Sequence, residues 1–175
     1  PDTHFKGDPT TVNFLSSNVT GDAAGNLYVA WVDDSDLNPR LSYSKDRGAH
    51  WSQPLMVGAP GVRVSACVNV SVKEPGYVAI AYYGSHQVEG AGNGHTVNDQ
   101  RPYDAYLSVS TNVFVERPLF WSTTINQPGH PAIPGLSLLV SEYIGAPAFG
   151  PDGSIWVGFL QDTNGLVGRM TPPPE

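Results

Sequence analysis

Charged side chains make up only 14% of the 175 residues, and no cluster of Lys and Arg occurs anywhere. That scarcity argues against a disordered tail or a coiled coil. The net charge of −7 excludes a nucleic-acid backbone as partner, because phosphate binding needs grouped cations. The single cysteine, Cys67, permits no intrachain disulfide and leaves the redox compartment open. Set in the strand-like run Val64-Ser65-Ala66-Cys67-Val68, it reads as a buried, inert thiol rather than a reactive one. No apolar run approaches the ~20 residues of a membrane span. The first residues show no signal-peptide pattern, although a leader removed on export would leave none.

What is abundant is punctuation: 19 Gly and 16 Pro, which leave little room for helices of ordinary length. Between these breaks three segments share a design: Gly25-Asn-Leu-Tyr-Val-Ala-Trp31, Gly76-Tyr-Val-Ala-Ile-Ala-Tyr82 and Gly153-Ser-Ile-Trp-Val-Gly-Phe159. Each opens on a turn glycine and carries an aromatic six residues later. The residues between are mostly β-branched or aromatic, as strands prefer. They are nearly continuously apolar, which predicts strands covered on both faces. Downstream, Leu41-Ser-Tyr-Ser44 and Leu107-Ser-Val-Ser110 lead to Trp51 and Trp121, and the third copy reaches Val167-Gly-Arg-Met170. Upstream strand candidates are 12–18, 64–72 and 143–149. The expected fold is therefore all-β, with about three four-stranded antiparallel units at approximately 10–60, 61–127 and 140–171. The first two copies start 51 residues apart, a period that suits propeller blades.

The stretch Ser44-Lys-Asp46-Arg-Gly48-Ala-His-Trp51 fits the pattern Ser-x-Asp-x-Gly-x-x-Trp throughout. In it the Asp46 carboxylate can accept backbone N–H groups, Gly48 can take positive φ, and Trp51 can cover the hairpin. At this point the chain resembles the Asp-box, sialidase-like β-propellers, specifically their C-terminal half. A second, degenerate copy has Asn112 near the Asp position. Ser141-Glu-Tyr-Ile-Gly145, Gly129-His130 and Ile133-Pro-Gly135 resemble the approach to the last blade of such proteins. The resemblance implies a structural role for Ser44, Asp46, Gly48 and Trp51. It also implies a six-bladed disc whose remaining blades come from a companion polypeptide, a removed N-terminal portion or further copies of the chain, and an extracellular or periplasmic setting. Two glycosylation sequons, Asn18-Val-Thr20 and Asn69-Val-Ser71, add little, because three-residue patterns arise by chance.

Antiparallel strands put alternate loops on opposite ends, and both insertions, 84–103 and 127–141, fall opposite the Asp box. Long loops on one side of a rigid scaffold are where binding residues gather. That end is expected to carry His86, Glu89, His95, Asp99, Arg101 and His130, with Asp33, Asp34, Asp36 and Arg40. The resemblance implies a glycan ligand there. Sialidase chemistry would need an arginine clamp for a carboxylate, a tyrosine activated by glutamate, and an acid/base aspartate. Arg101, Tyr143 and Asp99 stand nearest to those roles. The family's Arg-Ile-Pro motif is absent, however, and Glu142 and Tyr143 would point to opposite faces of a strand. The expected function is a glycan-directed, sialidase-like propeller without activity as this chain alone. Its rivals are a non-catalytic binding or assembly module, and a metal-dependent hydrolase or lyase using His86, His95 and His130. Asp34, Asp36 and Asn38 resemble the start of a calcium loop, although Pro39 stands where such loops need glycine.

Overall fold

The computed structural model describes residues 17–33, 35–88, 101–134, 144–161 and 164–171. No helix occurs among these residues; every regular element is a strand. The first sheet holds β1 (Ser17–Gly21), β2 (Leu27–Asp33), β3 (Asn38–Ser44) and β4 (Leu55–Met56), side by side in that order. The second holds β5 (Val64–Glu74), β6 (Tyr77–Ser85), β7 (Asp104–Ser110) and β8 (Trp121–Thr124), again in chain order. The third has three strands, β9 (Ala148–Phe149), β10 (Ile155–Gln161) and β11 (Asn164–Met170). Every pairing is antiparallel. The three glycine-led segments thus become β2, β6 and β10, the second strand of each sheet, and Gly25, Gly76 and Gly153 all sit at positive φ.

The sheets pack face to face, and the core divides into two layers accordingly. Tyr28, Ala30, Val32 and Leu41 of the first sheet meet Val70, Val78, Ile80 and Tyr82 of the second. Tyr77, Ala79, Ala81 and Tyr83, from the other side of β6, meet Ile155, Val157 and Phe159 of the third sheet. A strand turns alternate side chains to opposite faces. A strand sandwiched between two sheets must therefore be apolar at every position, and β6 is buried along its whole length. The β10 strand differs. Ile155, Val157 and Phe159 are buried while Trp156 and Gly158 are exposed, so β10 is covered on one face only among the described residues. The uniform expectation of two covered faces holds for β6 and fails there, because no further sheet lies on β10 among the described residues.

Polar contacts stitch the layers together. The Tyr28 hydroxyl accepts from Gly76 N at 2.8 Å and donates to Asp22 Oδ2 at 2.7 Å. The Tyr83 hydroxyl donates to Leu160 O and accepts from Leu160 N, both at 3.1 Å. The two sequon asparagines belong to the same system. Asn18 Oδ1 accepts from Val70 N at 3.3 Å, and Asn69 Nδ2 donates to Ile144 O at 2.8 Å. Asn18 pairs with Ala30 and Asn69 with Ala81, so the two occupy equivalent places in the repeat. Each ties the first strand of one sheet to the chain beside the next.

Two local expectations change. Cys67 is only partly buried. It takes φ 55° in a bulge where the β5–β6 register shifts between Ala66 and Asn69. A bulge turns the side chain away from regular alternation. The upstream candidate 143–149 is short, being represented by β9 and an isolated bridge from Ile144 to Phe159.

Candidate functional site

Strand directions sort the connections between two ends of the stack. The β1–β2 turn, the β3–β4 hairpin that carries Ser44 to Trp51, and the β5–β6, β7–β8 and β9–β10 turns share one end. The β2–β3 turn, the 57–63 connection, the β6–β7 connection and the residues following β8 share the other. In the β3–β4 hairpin, His50 N donates to Asp46 Oδ1 at 2.8 Å, and Ser44 Oγ donates to the same oxygen at 2.8 Å. The His50 ring lies 2.5 Å from Asp46 Oδ2. Bonds from the His50 backbone, the His50 ring and Ser44 hold the Asp46 carboxyl down at about 2. Gly48 has φ 93°, and a Cβ there would lie 4.0 Å from the Trp51 ring. Trp51 is half-buried. In the degenerate copy Asn112 Oδ1 accepts from Phe114 N at 2.9 Å, an Asx turn of the same kind. These residues close hairpins.

The opposite end carries the mixed polar groups. His86 Nδ1 lies 2.8 Å from Gly61 O, and its Nε2 lies 2.8 Å from the Tyr106 hydroxyl. The carbonyl can only accept, so Nδ1 donates to it, and Nε2 meets the Tyr106 hydroxyl. Burial raises the Tyr106 phenol, and the Asp104 charge adds to the effect. Tyr106 therefore stays a protonated donor. His86 is held at both nitrogens while its ring remains exposed. Those two bonds also occupy the positions a metal would need.

Arg40 and Asp36 form an ion pair, and Asp36 Oδ1 accepts from Asn38 N at 3.1 Å. Asn38 Nδ2 donates back to Asp36 O at 2.9 Å. A calcium ion here would have to displace the Arg40 guanidinium. Desolvation pushes Asp33 upward, but bonds from Ser35 and the Arg40 charge hold its carboxyl below the usual range. Among the described residues no three His, Cys, Asp or Glu side chains come together. Arg101 is 2% exposed and donates to Val88 O at 3.4 Å. Nearby, Asn126 Oδ1 accepts from Ala105 N at 2.8 Å. Its Nδ2 donates to Asp104 Oδ1 and to His130 O, both at 2.8 Å. Asn126 thereby fixes the backbone of His130, whose side chain is exposed. Asp34, Glu89, His95, Asp99 and Tyr143 lie outside the described residues.

His86, Arg40, Asp36 and His130 thus share one end, and Arg101, buried, lies three residues before β7. The sequence reading missed Asn126 and Tyr106, which hold His130 and His86 in place, and the exposed Arg63 beside Gly61. An asparagine directly after the lone aliphatic Ile125 that follows β8 is the signal that could have found it. Comparison with protein-family models gave no match, and comparison with curated protein sequences gave none either.

Proposed function

We propose that this chain is part of a sialidase-like β-propeller that binds a glycan at the end opposite the Asp box, without catalysis by this chain alone. The observation that carries the reading is the exposed His86 ring, clamped between Gly61 O and the Tyr106 hydroxyl. A ring fixed in that way presents a flat face at no further cost in side-chain ordering. At the same end of the stack, Arg40, Arg63 and Asp36 offer donors and acceptors of the kind that sugar hydroxyls meet.

The test is a printed array of sialylated and neutral oligosaccharides, followed by titration calorimetry on the best binder. His86→Ala and Arg63→Ala should each weaken binding at least tenfold with the melting temperature unchanged. A fluorogenic sialoside should read as background. Binding lost on changing Lys45 instead would place the ligand at the other end. Turnover of the sialoside would overturn the non-catalytic reading.

A further inference from the structure

The chain has two methionines, Met56 and Met170, and the fold treats them differently. Met170, at the end of β11, is half-buried and packs against the core layer between the second and third sheets. Met56 lies in β4, the outermost strand of the first sheet. Leu55 beside it packs against the other core layer, and a strand turns its next side chain to the opposite face. Met56 is accordingly 47% exposed.

The exposed thioether already has a partner. Met56 pairs with Arg40 across β3 and β4, and Arg40 Nη1 donates to its Sδ at 3.3 Å. The other arm of the same guanidinium, Nη2, is ion-paired with Asp36. Arg40 therefore stands between a strong acceptor and a weak one, because a thioether sulfur accepts far less well than a carboxylate. The Nη1 arm is the one that a ligand oxygen can draw away. Oxygen added to Sδ changes that balance, since a sulfoxide is polar where the thioether is apolar. The guanidinium is then held on both arms.

We propose that Met56 is a site of oxidation by peroxide, and that its sulfoxide oxygen binds Arg40 and withholds it from ligands. The effect on ligands rests on the reading of Arg40 as part of the glycan-binding end. In the step itself a lone pair on Sδ attacks one oxygen of hydrogen peroxide, and the O–O bond breaks. The sulfur is oxidised by two electrons and keeps that oxygen. The proton of the transferred oxygen passes to the departing hydroxide, which leaves as water. The product is accommodated because Met56 faces solvent at a sheet edge, whereas the same oxygen on Met170 would press against the core.

The experiment treats the full chain with graded hydrogen peroxide and follows both methionines by peptide mass. Met56 should be oxidised about tenfold faster than Met170, with the melting temperature unchanged. In the chain oxidised at Met56, exchange of the Arg40 guanidinium protons with water, read by NMR, should slow severalfold. Met56→Gln carries an amide oxygen near the place of the sulfoxide oxygen and should slow that exchange without peroxide. Oxidation of Met170 first or at an equal rate, or Arg40 protons that exchange as before in both forms, overturns the proposal. Affinity for the best-binding oligosaccharide should fall about tenfold on oxidation and return with methionine sulfoxide reductase and a dithiol. In Met56→Leu it should not respond to peroxide. An affinity indifferent to Met56 oxidation overturns the withholding of Arg40. No oligosaccharide bound at all would sink the ligand reading, and the peptide masses and Arg40 exchange would still decide the oxidation site.

Discussion

Removing one oxygen, in Tyr28→Phe, should cost about 2 kcal/mol. The ring is fully buried and stacks on Phe114 with centroids 6.1 Å apart at 22°, and phenylalanine keeps that packing. What disappears is the acceptor for Gly76 N at 2.8 Å and a donor to Asp22 Oδ2 at 2.7 Å. Gly76 is buried, and an N–H left there without its acceptor costs roughly 1–3 kcal/mol. Asp22 loses less. It keeps bonds from Ala24 N, Asn26 N and Asn26 Nδ2, and water can reach it. For a chain of this length the melting temperature should fall by roughly 4–8 °C, and the urea m-value should not change. A pH series separates the two losses. Desolvation raises Asp22, but bonds from Asn26, Tyr28 and the backbone leave it below its ordinary value. A depressed carboxyl stabilises the fold above its unfolded pKa and ceases to as pH falls through the folded one. The gap between wild type and variant should therefore narrow on acidification without closing. A change within ~0.5 kcal/mol at neutral pH would show that Tyr28 does not link the first two sheets.

Asp46, held at about 2 against an ordinary 3.8, should stabilise the fold above about pH 4, with the benefit lost towards pH 2. His50→Ala should raise that carboxyl in an NMR titration, and an unmoved value would refute the bond. Gly153→Ala, at φ 80° with nothing near its Cβ, should cost only the strain of about 1–2 kcal/mol. Gly76→Ala, at φ 84° with Phe114 at 3.0 Å, should cost more; equal losses in urea unfolding would remove the steric argument. Asn69→Ala strips the donor from Ile144 O and should cost about 1–2 kcal/mol. No loss would mean that this contact does not join the second sheet to the third.

The stack was legible where one physical demand governs many residues. Cover on both faces demands unbroken apolarity, and Tyr77 to Tyr83 carry it openly. The turn bonds between Ser44 and His50 were legible because they close within a few residues. Trp156 was misjudged since its pattern matches that of Ala79, and only the absence of a fourth layer among the described residues separates them. The sequon pattern alone says nothing of Asn18 and Asn69, whose signal is the 51-residue spacing they share with Gly25 and Gly76. The site was legible in residue type and end of the stack, but not in its supports. His86 is held by Gly61 and Tyr106, 25 and 20 residues away. No local pattern announces such a clamp, and none announces the positive φ of Leu37 or Cys67.

The claim that the end opposite the Asp box is the ligand face is tested most directly by hydrogen exchange, with and without the best-binding oligosaccharide. New protection should fall on 35–40, 57–63, 85–88 and 126–134, and leave 22–26, 45–54 and 111–120 unchanged. Protection at the Asp-box end, or no oligosaccharide that binds at all, would contradict it.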